Sequence, residues 1–139
     1  MQKTLALTDR QMAICENDFW HSFDTSTNGK WQSDMLTDTK SDAFFRMCFM
    51  LGYYLQGLAL VDVLSLKVEQ VKQRKTTGES MYVIETCRRK TGKGVKIVIP
   101  ESHTNRHRLF TLVYESAVNS KREHILPVMD SLGDDELYI

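Results

Sequence analysis

The sequence predicts an α+β fold, mainly helical with a small three-stranded antiparallel sheet. Three observations predict it. Residues 43–55 are apolar nearly all round, as a helix enclosed by other elements is. After Lys67 helical spacing gives way to runs rich in β-branched and aromatic residues. Glycine-containing turns then separate those runs at hairpin distance. At 139 residues the chain can bury one core, so it is a single domain or part of one.

The elements follow in order. Thr8-Asp9-Arg10-Gln11 has the spacing of a capping box, with Asp9 suited to a helix N-terminus, and predicts a helix over about 9–22. Asn28-Gly29-Lys30 signals a turn, and Trp31–Thr37 is ambiguous but admits a short helix. Ser41 or Thr39 can cap the apolar helix at about 41–56, whose Phe44–Tyr54 aromatic cluster is assigned to the core, and Gly57 stops it. A short helix at 59–66 follows through a tight glycine corner. The sheet is expected within 68–100: a short strand at 68–71, a polar loop at 73–80, and strands at 81–87 and 95–99 ended by Pro100. Helical spacing returns at 103–118, and a second helix is expected at about 122–132.

Composition excludes several classes. Hydrophobic residues make up 42% and charged residues 26%, as in ordinary globular proteins. No apolar run has membrane-spanning length, and the N-terminus lacks the pattern of a secretory signal. Cys15, Cys48 and Cys87 show neither CxxC nor CxxH spacing, which argues against a disulfide framework or a zinc site and makes a reducing cytoplasm the expected location. His21, His107 and His124 have no partner at ligand spacing, so no metal is expected. The net charge of zero hides segregation: −3 over residues 1–66, +8 over 67–122 and −5 over 123–139. The middle block has the charge of a surface that binds polyanions, although a solvated basic face would look the same.

Within that block Arg88-Arg89-Lys90-Thr91-Gly92-Lys93, with Lys96 beyond, concentrates five cations at one hairpin tip. Its glycines permit close approach of backbone to a ligand, and each cation that meets a phosphate releases counterions. The tip is therefore a candidate for binding the DNA backbone. Basic turns are common, and the motif by itself is equally compatible with a purely structural turn.

The order of elements, with Leu7-Thr8-Asp9 at the start, Gly57-Leu58-Ala59-Leu60-Val61-Asp62-Val63-Leu64-Ser65-Leu66-Lys67 at the corner, Arg89-Lys90-Thr91-Gly92-Lys93 on the hairpin and Val95–Pro100 after it, resembles the N-terminal part of the catalytic domain of tyrosine recombinases. The phage-integrase family is meant, and integrases of conjugative and transposable elements in gut bacteria in particular. The resemblance covers nearly the whole chain. It implies a partial integrase catalytic domain over 1–139 that binds double-stranded DNA. In full-length relatives such a domain breaks and rejoins strands through a 3′-phosphotyrosine link, without metal or nucleotide cofactor, while self-associating on DNA. It implies no small-molecule substrate and no membrane partner. Lys90 takes the place of the hairpin lysine that protonates the 5′-hydroxyl leaving group, the one catalytic assignment. A lysine suits that role because it holds its proton beside phosphate and reaches on a flexible stem. Arg88, Arg89, Lys93, Lys96 and Lys67 are the implied DNA contacts, Lys67 alternatively being only solvated. Asp62 matches an acidic position that is mainly a buried orienting group.

Three departures limit the chemistry. The family's first catalytic arginine falls at Ala59, which removes a guanidinium from the transition state, and Arg88, Arg89 or Arg74 is the candidate substitute. The His-x-x-Arg box is missing from its later helix; His103-Thr104-Asn105-Arg106 has the spacing but follows the third strand too closely, and Arg106 and Arg108 are assigned instead to a DNA-facing helix start. No tyrosine stands at the nucleophile position: Tyr114 and Tyr138 lie too early, and Tyr53, Tyr54 and Tyr82 fall in the apolar helix or a strand. The expectation is a fragment of an integrase, or a degenerate relative, inactive in cleavage by itself. Two other classes stay open. A helix–turn–helix regulator with a β-wing would place basic residues on 59–66, where there are none, and a small enzyme using the hairpin lysine on phosphate would want a P-loop or GxGxxG turn.

Overall fold

The computed structural model describes residues 7–128. Its elements are α1 (Asp9–Thr25), a 3-10 turn (Thr27–Gly29), α2 (Lys30–Thr37), α3 (Asp42–Tyr54), α4 (Leu60–Leu64), a 3-10 turn (Val68–Gln70), β1 (Val71–Thr76), β2 (Glu79–Cys87), β3 (Gly94–Pro100) and α5 (Thr104–Asn119). The α+β class with one three-stranded antiparallel sheet is as expected, and the strands form a meander in the order β1-β2-β3.

Local chemistry sets most boundaries. Thr8 Oγ1 accepts from the Gln11 amide at 3.1 Å while Gln11 Oε1 accepts from the Thr8 amide at 2.8 Å, so the capping box forms and two orphan donors are satisfied. Ser41 Oγ accepts from the Phe44 amide at 3.0 Å and starts α3. α3 ends where Gln56 and Gly57 both turn left-handed, at φ 60° and 73°, which lets the Gly57 amide reach back to the Gly52 carbonyl at 2.9 Å. That reversal is the corner that lays α4 beside α3.

The core sits where α3 meets α5 and the sheet. Met47, Leu51 and Leu55 of the α3 region face Leu109, Phe110 and Val113 of α5, all fully buried, and Ile84, Ile97 and Ile99 close the cluster from the sheet. On the far side Phe19, Trp20 and Phe23 of α1 meet Trp31 of α2, with Phe19 and Trp31 edge-to-face at 5.1 Å. Arg108 lies over Trp20 and Phe23, at 4.5 and 4.8 Å, and pairs with Asp24 at 3.0 Å. It links α5 to α1.

Four expectations are corrected. The polar stretch 73–80 is not a loop: β1 runs to Thr76 and turns through Thr77 and Gly78, both at positive φ, straight into β2 at Glu79. Beyond Val71 every β1 residue is exposed, so no alternation of apolar residues marked this edge strand. Val68–Gln70 is 3-10, with the strand starting at Val71. The apolar helix is not enclosed: Phe44, Met47, Cys48, Met50, Leu51 and Tyr54 are buried, whereas Phe45, Phe49 and Tyr53 are 65%, 44% and 49% exposed along one outer stripe. Finally, the helix expected from about 122 does not start there: Val128 is helical, and residues 122–127 are not. They return against the end of the corner, with the Val68 amide donating to the Glu123 carbonyl and Ile125 to Leu66, both at 2.9 Å. Positions 129–132 of that expected helix, and Asp134–Ile139 with Tyr138, lie outside the described residues.

Candidate nucleic-acid interface

β2 and β3 pair from Met81↔Pro100 to Cys87↔Gly94, leaving Arg88–Lys93 as the loop between them. The loop is closed tightly for its length. The Arg88 amide donates to the Lys93 carbonyl at 2.9 Å, and the Gly92 amide to the Arg88 carbonyl at 2.7 Å. Gly92 at φ 70° supplies the left-handed residue this closure needs, and Thr91 Oγ1 accepts from the Lys93 amide at 3.2 Å. Lys90, Arg89 and Lys93 are exposed and Arg88 is half-buried. Between Glu85 and Glu101 the chain carries no acid, so nothing within the hairpin beyond Glu85 offsets its positive field.

The base of the loop is anchored to the corner. Asp62, only 6% exposed in α4, accepts the Arg89 backbone N–H on Oδ1 at 2.9 Å. The Arg89 guanidinium folds back so that Nη1 donates to Ser65 Oγ at 2.9 Å, and Ser65 in turn donates to the Val61 carbonyl at 2.6 Å. One residue is thus held by backbone and by side chain to the same short helix. The resemblance implied a buried orienting role for Asp62. What the carboxylate grips here is the hairpin backbone, a link across 27 positions that no local pattern signals.

The remaining candidates divide. Lys96 stands on the outer face of the sheet, directly across from Glu85. Residues alternate between faces along a strand, and Tyr82, Ile84, Ile97 and Ile99 point to the core, so Lys72 and Arg74 share the outer face with Lys96. Lys72 was not among the sequence candidates. No local pattern signals it, because β1 shows no alternation; only its register with β2 places it on that face. Lys67 is at the far end of α4 and pairs with Glu123 at 3.3 Å, so it is engaged rather than projecting beside the tip.

Ala59, at which the resemblance implies an arginine, is exposed at the N-cap of α4. Arg106 is engaged within the fold: Nε donates to the Tyr54 carbonyl at 3.0 Å and Nη1 meets His103 Nδ1 at 2.7 Å across the start of α5. Burial holds the Arg106 guanidinium below the usual arginine range. Tyr54 is buried between Trp20, whose indole donates to it at 3.0 Å, and Glu16, to which it donates; burial pushes its hydroxyl well above the usual range. Tyr82 is buried under α5 and its hydroxyl is raised likewise, while Tyr114 is half-buried and stacks on Phe110. Tyr53 alone of the described tyrosines is exposed.

No group of three His, Cys, Asp or Glu side chains able to hold a metal ion occurs among the described residues. Within them no helix is long and apolar enough to cross a membrane. A cavity of about 560 Å³ along α1, α3 and α4 is lined mainly by apolar residues such as Phe45, Phe49 and Leu60 and lies apart from the hairpin. Compared with known proteins, the chain matches no family model, no curated protein and no solved structure.

Proposed function

We propose that this chain binds double-stranded DNA through the phosphate backbone with its β2–β3 hairpin, as part of the catalytic domain of a tyrosine-recombinase-like integrase. The observation that carries the reading is the hairpin itself: four cations in a six-residue loop, clamped at its base to the corner helix by buried Asp62. A surface that merely solvates charge has no use for a buried carboxylate that fixes its turn. Clamping lowers the entropy cost of presenting Arg88, Lys90 and Lys93 to a phosphate row. Lys96, Lys72 and Arg74 extend the positive surface along the outer sheet face.

In the recombinase reading Lys90 is the proton donor to the leaving 5′-oxygen in a longer polypeptide that supplies the tyrosine, whose attack on phosphorus makes the covalent link. Self-association on DNA belongs to that polypeptide. Arg89 of the hairpin is bonded to Asp62 of α4, the short helix whose N-cap is Ala59, which favours it over Arg88 and Arg74 as the source of the missing positive charge. The chain by itself binds DNA without cleaving it. A helix–turn–helix regulator is disfavoured because α4 has only five residues, none of them basic.

The test is fluorescence anisotropy of the whole chain with labelled duplex DNA at rising KCl. The expected slope of log affinity against log salt is about −3 to −4 for four phosphate contacts, and Lys90→Ala and Lys93→Gln each flatten it by about one. Affinity indifferent to salt, or unchanged in both variants, would overturn the reading. On a nicked suicide duplex the chain forms no covalent complex.

A further inference from the structure

Phe45, Phe49 and Tyr53 recur at every fourth position of α3, the spacing of one row along a helix surface, and they stay 65%, 44% and 49% exposed. Beside the row runs the cavity of about 560 Å³, walled by Leu7 and Met12 at the start of α1 and by Leu60 and Val63 of α4. Phe45 and Phe49 also border a second hollow, of about 210 Å³, with Cys15 and Phe19. We propose that this face docks a second copy of the chain, the α3 row of each protomer seated in the groove of the other.

Three arguments select that occupant. The first is shape. A two-fold interface uses the same patch on both subunits, so the patch must be complementary to itself. This one holds a protruding row and a groove side by side, and rows packed into grooves are how helices meet.

The second is area. An aromatic side chain of about 200 Å² left half exposed offers about 100 Å². With Leu7 and Leu60, 44% and 53% exposed, the face presents about 500 Å² of apolar surface, which is large for a monomer. Interface cores are about 65% apolar, so such a patch corresponds to about 800 Å² per partner, the size of a standard stable interface.

The third is charge. Among the described residues the two hollows are lined by three charged side chains only, Asp9, Asp18 and Arg46, of mixed sign. A strongly charged partner finds nothing to match there. Two identical copies meet without like-charge repulsion, because the +8 block over 67–122 contributes no residue to either lining. The inference does not rest on the DNA-binding reading.

The experiment is sedimentation velocity of the whole chain without DNA, from about 1 to 300 μM, with a shift from one to two chain masses and a micromolar dissociation constant expected. Phe49→Glu sets an unpaired charge in the middle of the contact and raises that constant at least a hundredfold, on the order of 3 kcal/mol. Phe45→Ser truncates the most exposed of the three and weakens association about tenfold. At the lowest concentration its urea midpoint stays near the parent's, so the loss is one of association and not of folding. Val118→Glu, at a 45% exposed position of α5 outside the face, leaves association unchanged. A chain that stays monomeric throughout, a dimer that both phenylalanine variants leave intact, or one that Val118→Glu weakens equally would overturn the proposal. Lys93→Gln dimerises like the parent even as it loses DNA. Dimers with DNA binding indifferent to salt support this interface and count against the hairpin reading alone.

Discussion

Replacing Asp62 by alanine removes the acceptor of the Arg89 amide. A hydrogen bond to a charged group contributes about 1.5–3 kcal/mol. Here the acceptor is 6% exposed, but the donor belongs to an exposed residue and can turn to water once released, so the loss lies near the low end, about 1.5–2 kcal/mol. Asp62→Asn keeps an acceptor oxygen in place and loses only the charge, so it costs about 1 kcal/mol or less. Both variants remove the same negative charge from beneath the cationic loop, which by itself strengthens attraction for phosphate. The Ala–Asn difference therefore isolates the hydrogen bond. The assays are urea unfolding, where the midpoint falls with the slope unchanged, and amide hydrogen exchange at Arg89, where protection drops by about tenfold in Asp62→Ala. If Asp62→Ala exchanges at Arg89 like the parent and unfolds at the same urea concentration, the carboxylate does not hold the hairpin and the clamping argument fails.

Four further outcomes are expected. Cys48 is 4% exposed and burial pushes its thiol from 9.0 up to about 12, whereas Cys87 is exposed, so at pH 8 iodoacetamide modifies Cys87 and spares Cys48; equal labelling by mass spectrometry would contradict the packing. Because the folded-state value is raised, the unfolded chain loses the Cys48 proton first, and stability that is intact below about pH 9 falls between 9 and 12; Cys48→Ala flattens that limb in unfolding curves taken across the range. Phe44→Ala costs about 3–5 kcal/mol and Phe45→Ser about 0.5 or less, despite adjacent positions, and similar urea midpoints for the two would refute the exposed stripe. Tyr54→Phe strands the buried Trp20 indole N–H and costs about 1–3 kcal/mol, read from denaturation followed by tryptophan fluorescence.

What the sequence made legible was what neighbouring residues decide among themselves. The Thr8 box and the Ser41 cap act within three positions, and both helix starts are where those motifs put them. Hydrophobic pattern located α3 and α5 but said nothing about which side of α3 would find neighbours, so Phe45, Phe49 and Tyr53 were assigned to the core. β1 hid because exposure on both faces removes alternation. A helix was expected at about 122–132, whereas Ile125 and Leu126 are buried in a segment that pairs with Leu66 and Val68, far back in the chain. The candidate site shows the same division. The cationic loop was visible as composition, whereas Asp62 and Ser65 acquire meaning only once folding places them against Arg89.

The Asp62 clamp also makes the hairpin and the corner one thermodynamic object. The bond ends one residue short of Lys90, so any ligand that restrains the tip also favours the bonded state of Asp62, and with it the placement of α4. Coupling of this kind is reciprocal. On the proposed reading, a rigid corner strengthens binding at the tip, and an occupied tip returns the same free energy as a smaller open population of α4. The short helix, with five residues and little intrinsic reason to persist, thereby becomes the part of the protein that reports whether the hairpin is in use.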